Sequence, residues 1–183
     1  MAKTRGTTLI PRIKYLRLRH AWDDVLPELS PSTRGIVTST VLASTWYPFE
    51  ALVDLIRTAD RVLGKGDLAM AKDMGRFAAT ANLSTVFRFL VRLSTPRMIL
   101  RKGASLWHLH HDTGRAVALE DGPNRAIYEI HEFGAPDRAL CVSLEGWIER
   151  CLEMTGAKHP IVREEECATR SGTVCRFRGG WHE

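Results

Sequence analysis

The chain has 183 residues, 44% of them hydrophobic, with 26 Lys and Arg against 21 Asp and Glu and a formal net charge of +5. That length suits one domain with a substantial core, and no apolar run is long enough to span a bilayer. The basic N-terminus lacks the continuous apolar stretch and small-residue cleavage site of a secretory signal, so the expected compartment is the cytoplasm, where thiols stay reduced.

Near the N-terminus Arg12, Lys14, Arg17 and Arg19 alternate with Ile13, Tyr15, Leu16 and Leu18. This reads as an amphipathic segment lying on the core. No base-reading motif accompanies the charge, so nucleic acid is not an expected partner. His20 to Leu26 starts a helix. Pro48 to Leu63 is a clear one, with Phe49, Leu52, Val53, Ile56, Ala59 and Leu63 on one face and Gly64 at its end. Asp67 caps a third helix expected to run to about Leu93. Its inner side carries Met70, Met74, Phe77 and Ala81, with Gly75 suited to close packing. Leu83, Phe87 and Leu90 widen its apolar arc, so it is expected to be covered on more than one side. Thr95-Pro96 opens a further helix through Ile99, Gly103 and Trp107 to about His111.

The last third changes character. Arg115 to Leu119 and Arg125 to His131 read as strands joined by Asp121-Gly122-Pro123-Asn124. Pro136-Asp137 opens a helix with Leu140, Leu144, Trp147 and Cys151 on its face, ended by Gly156. His159 to Cys167 and Thr173 to Arg178 form a second hairpin around Ser171-Gly172. The expected fold is α+β: N-terminal helices (about 1–112) packed on a small antiparallel sheet of about four strands (about 113–180). One helix lies between the two hairpins, and residues 1–183 form a single domain.

The second hairpin holds two of the four cysteines. With the turn centred on Ser171, Cys167 and Cys175 fall opposite each other, close enough for both sulfurs to reach one point. Cys141, in the first turn of the preceding helix, is a third candidate ligand, since a helix N-terminus favours a thiolate. Glu164 needs a bulge or twist near Glu165 to face the cysteines, because strand alternation gives Glu165 the matching parity. Spacing alone leaves both glutamates open, and it leaves two plain buried cysteines as the alternative to a metal. Cys151 lies too far along its helix to join them and reads as core.

Cys141, Gly146, Glu164-x2-Cys167-x4-Gly172-x2-Cys175-x-Phe177 resembles the closing signature of the 4-vinyl reductase domain. That family belongs to the ligand-binding fold of NO signalling and Golgi transport. It is related to the sensory domains of phenol-responsive activators and to Bet-type TRAPP subunits. The motif covers the C-terminal quarter, and the helical part matches in layout. The resemblance implies a structural zinc held by Cys141, Glu164, Cys167 and Cys175, and a homodimer formed through the helices. It also implies a ligand-binding or sensory role exerted through a protein partner. A TRAPP-like interaction scaffold without a small ligand is the alternative.

Trp107-His108-Leu109-His110-His111 lacks the spacing of a metal or haem motif and reads as a polar helix end. Phe77, Phe87, Phe89, Trp107 and Tyr128 are candidates to line a cavity for a small apolar or aromatic ligand between helices and sheet. Phe77, Trp107, His108 and Tyr128 are taken as its ligand-binding residues. Glu129-x-His131-Glu132 offers acid–base groups, but no nucleophile accompanies them, so no enzymatic activity is expected.

Overall fold

The computed structural model describes residues 1–81 and 91–182. Helix α1 (Gly6–Leu18) follows a three-residue strand β1 (Lys3–Arg5). Short helices α2 (Trp22–Val25) and α3 (Pro31–Thr38) lead to strand β2 (Trp46–Pro48) and helix α4 (Phe49–Leu63). Helix α5 spans Ala69–Ala81 and α6 spans Pro96–Ser105. The first hairpin is β3 (Arg115–Glu120) and β4 (Arg125–His131). Helix α7 (Arg138–Met154) separates it from the second, β5 (Lys158–Glu166) and β6 (Cys175–His182). The expected α+β plan is present. The second hairpin inserts its β6 next to β4, giving one antiparallel sheet of order β3-β4-β6-β5.

The local signals act as the residue types dictate. The Thr95 side chain accepts from the Met98 amide at 3.2 Å, and Asp137 caps α7 by accepting from the Ala139 amide at 2.8 Å. Asp67 accepts from the Ala69 amide at 3.0 Å. Gly122 and Asn124 take positive φ in the β3–β4 turn. In α4, Leu52, Leu55, Ile56 and Ala59 are fully buried. Helix α7 is buried on two sides, against α5 and against β5 and β6, because it lies between the helical layer and the sheet.

One strand pair was not expected, one helix ends early, and one helix lies partly outside the described residues. Strands β1 and β2 pair antiparallel, Thr4 opposite Tyr47, and tie the chain's start to the beginning of α4. Three-residue strands are too short to show alternation. The helix expected to reach His111 stops at Ser105. A 3-10 turn, Trp107–Leu109, follows and alters which histidines face inward. Of the long third helix, Ala69–Ala81 is seen, while Leu83, Phe87, Phe89 and Leu90 lie outside the described residues. Among the described residues no helix is long and apolar enough to cross a membrane.

Candidate functional site

Between the helices and the sheet lies a cavity of about 230 Å³. Helix α1 contributes Thr8, Pro11 and Arg12, and α4 contributes Leu52. The end of α6 and the turn after it contribute Gly103, Trp107, His110 and His111. Tyr128 comes from β4, and Leu140, Leu144 and Trp147 come from α7. The walls are therefore apolar and aromatic, with a few polar groups.

Arg12 is the unexpected member. In the sequence it reads as one of the basic residues of an amphipathic segment. In the structure its side chain is buried, 7% exposed, on the same face of α1 as Leu9 and Leu16. Its spacing was the available signal, three residues after Leu9 and four before Leu16. Nη1 donates to the Thr8 carbonyl oxygen at 3.1 Å, and Nη2 donates to Ser143 Oγ at 3.0 Å. Nε has no partner. Burial alone lowers its pKa to about 10, which still leaves the guanidinium charged at neutral pH.

Two histidines join it. His111 is buried, with its Nδ1 unpartnered. Its ring stacks on Trp107 at 4.2 Å and meets the edges of Phe49 and Phe133. Burial first, then His110 and Arg12, lower its pKa to about 3, so it is neutral. His110 is pushed the same way, by burial and then Arg12, and its Nδ1 is bonded to Thr7 Oγ1 at 3.0 Å. The Trp107 indole donates to the Thr113 carbonyl oxygen at 2.9 Å, which fixes that ring.

Of the expected cavity residues, Trp107 and Tyr128 line the space, while Phe77 and His108 do not. Phe77 packs edge-on against Tyr15 at 5.5 Å. His108 is exposed, because the 3-10 turn rotates it outward and brings His110 and His111 in. Glu129 is tied up on the sheet, accepting from Arg176 Nε at 2.6 Å and paired with His131 Nε2 at 2.9 Å.

The cysteine constellation is also drawn together. The sulfurs of Cys141, Cys167 and Cys175 and a carboxylate oxygen of Glu164 all lie within 4.8 Å of one another. A register shift between Glu164 and Glu166 supplies the bulge that strand alternation required. It turns Glu164 toward the cysteines, while Glu165 pairs with Arg178 at 2.6 Å. The Cys141 thiol donates to Cys175 Sγ at 3.7 Å, Cys167 Sγ meets Thr169 Oγ1 at 2.8 Å, and Glu164 is ion-paired with Arg138 through Oε2 while its Oε1 is buried without a partner. Cys151 is core, 3% exposed.

No family model and no curated protein matches the chain. Its fold is nevertheless that of the H-NOX domains. The chain aligns over 98% of its length with 96% of a mutant H-NOX protein from S. oneidensis in the Fe(II) ligation state, at 13% identity and a TM-score of 0.74. An oxygen-binding H-NOX domain related to soluble guanylate cyclases, in its oxygen complex, aligns at 14% identity and a TM-score of 0.69, over 98% of this chain and 95% of that one. The NMR structure of an H-NOX domain from Shewanella oneidensis in the Fe(II)CO state gives 13% identity and 0.71, over 98% and 99%. At such identity the likeness establishes the fold.

These neighbours correct two expectations. The resemblance to the 4-vinyl reductase domain rested on the C-terminal quarter, whereas the likeness to H-NOX domains spans nearly the whole chain. The expected structural zinc falls with it, since these neighbours are described by Fe(II) and its gas complexes. Within the cluster Glu164 is ion-paired with Arg138, and the Cys141 thiol is hydrogen-bonded to Cys175 Sγ.

Proposed function

We propose that this chain is a small-molecule-binding sensory domain that works through its cavity and without catalysis. The observation that carries the reading is the pair of buried, unpartnered nitrogens, Arg12 Nε and His111 Nδ1, on residues lining an otherwise apolar cavity. Buried polar atoms are nearly always satisfied, so orphans at a cavity wall suit a bound molecule. An interaction scaffold would have no need of such a space. The output is taken to be a change of contact with another chain, either a second copy or a signalling protein.

The fold neighbours include a structure concerned with heme redox potential and porphyrin distortion, so haem has to be tested against these residues. It does not fit. The cavity, about 230 Å³, falls below the ~300–1,000 Å³ range usual for drug-sized ligands, and a tetrapyrrole is larger than those. The space beside His111 is filled by Trp107, Phe49 and Phe133. Trp147 also packs against the backbone at Gly103, where a Cβ would come within 2.8 Å of its ring.

The reading is tested by thermal unfolding and tryptophan fluorescence against a panel of small aromatic and short aliphatic compounds. At 100 times the dissociation constant, a ligand is expected to stabilise the fold by about 2.7 kcal/mol and to perturb tryptophan emission. Trp107→Ala should weaken binding in a protein that still unfolds cooperatively. The reading fails if no compound shifts either signal. A Soret band at one haem per chain would overturn the size argument.

A further inference from the structure

We propose that the cavity selects a small apolar anion, a monocarboxylate on a compact aromatic or aliphatic body, and that Arg12 takes the carboxylate. This rests on the reading of the cavity as a ligand site and adds the class of ligand.

The first argument is charge. Among the described cavity-lining residues there is no Asp, Glu or Lys, and Arg12 is the only Arg. Arg12 is therefore their one fixed charge, and both histidines beside it are held neutral by burial and by the guanidinium. Its two hydrogen-bond partners, the Thr8 carbonyl oxygen and Ser143 Oγ, carry no charge. A buried charge without a counter-ion is costly, and proteins seldom keep one. An entering anion would supply the missing counter-charge.

The second argument is donor geometry. A guanidinium presents five N–H donors in a planar fork matched to a carboxylate. Two donors of Arg12 are engaged by protein, and Nε, on one edge of the fork, is unpartnered. A carboxylate is the simplest planar acceptor for that edge.

The third argument is the shape and polarity of the remainder. Beyond Arg12, the two threonines Thr7 and Thr8 and the two histidines, the walls include Leu52, Trp107, Leu140, Leu144 and Trp147, with Tyr128 on the sheet side. These favour a hydrocarbon or ring, and among the described lining residues there is no second fixed cation for a dianion. A dry cavity of about 150 Å³ holds benzene. In proportion, 230 Å³ suits about nine non-hydrogen atoms, the size of phenylacetate or octanoate.

Titration calorimetry with phenylacetate, octanoate, phenylacetamide and acetate tests this. Phenylacetate or octanoate should bind about 10- to 100-fold tighter than phenylacetamide, as expected for a hydrogen-bonded charge. Acetate, which lacks the apolar body, should bind at least about tenfold more weakly than either longer acid. Arg12→Met should abolish the preference for acid over amide while phenylacetamide still binds. If Arg12→Met fails to fold, Arg12→Lys keeps the charge and loses the fork, and the acid-to-amide ratio of the unmutated protein stands without any variant. Equal binding of acid and amide overturns the inference and leaves the ligand site standing. Acetate binding as tightly as the longer acids overturns the apolar requirement. Binding of none of the four overturns both the inference and the proposed function.

Discussion

A Cβ placed on Gly75 would lie 1.8 Å from the carbonyl oxygen of Ser143, so α5 and α7 cross backbone against backbone. The contact is reciprocal, since a Cβ on Gly146 of α7 would lie 2.1 Å from the Lys72 carbonyl oxygen of α5. The crossing also sets the cavity. Ser143 sits at it, fully buried, and its hydroxyl accepts from Arg12.

Gly75→Ala and Gly146→Ala are therefore expected to destabilise the fold by about 2–4 kcal/mol each, through overpacking that only a helix shift can relieve. For a chain of this size that lowers Tm by about 5–15 °C. Gly35 is the control. It is exposed in α3 with open space around it, so Gly35→Ala should be neutral or stabilising by about 0.5–1 kcal/mol. Scanning calorimetry on the three variants decides the matter, and equal effects at Gly35 and Gly75 would refute the crossing.

Glu149 joins three elements. Its buried carboxylate accepts from Lys72 Nζ at 2.8 Å, from Arg76 Nη1 at 3.3 Å and from the Val162 amide of β5 at 3.1 Å. Both cations are about one-third exposed and can turn to solvent, whereas the Val162 amide cannot. Glu149→Leu should thus cost about 2–4 kcal/mol, mostly from the orphaned amide. Glu149→Gln, which keeps an acceptor, should cost less. Urea unfolding midpoints of the two variants give the comparison.

His111 predicts an acid sensitivity. Its pKa is about 3 in the folded chain, against 6.5 when unfolded, so between those values the unfolded state binds the extra proton. Stability is undiminished above pH 6.5 and falls as pH drops below it. The slope from this residue approaches about 1.4 kcal/mol per pH unit. His111→Phe should flatten the stability profile between pH 6.5 and pH 4.5. A profile unchanged by the substitution would place the acid sensitivity elsewhere.

Arg12→Met is expected to leave the ligand-free protein as stable as before, or more so by about 1 kcal/mol, because it removes a buried charge that lacks a counter-ion. Chemical unfolding without ligand checks this. A loss above about 2 kcal/mol would show the guanidinium to be structural cement, its bonds to Thr8 and Ser143 outweighing its desolvation.

The strands and the later helices could be read from the chain because each is specified by local chemistry. The β3–β4 hairpin follows from alternating residues around a Gly-containing turn, and α7 follows from Asp137 at its cap. Strand parity made a bulge near Glu165 the condition for Glu164 to face the cysteines, and a register shift is present between Glu164 and Glu166. Gly75 signalled a close crossing, and the partner it meets is 68 positions along the chain at Ser143. The N-terminal strand pair could not be read, since three residues show no period and their pairing joins distant segments.

The sequence by itself determined the α+β order of the later elements, the apolar faces of α4 and α7, and the placing of Cys167 and Cys175 opposite each other across a turn. Each depends on spacing within one or two neighbouring elements. Only the tertiary structure decided that the whole chain adopts the H-NOX fold, that Glu164 is balanced by Arg138, and that His110 and His111, not His108, face the cavity. It also decided which basic residue of the amphipathic first helix is buried, namely Arg12. The physical reason is common to all four. Burial and charge pairing depend on what the opposite layer brings near, and residues far apart in the chain supply that layer only when the helices close over the sheet.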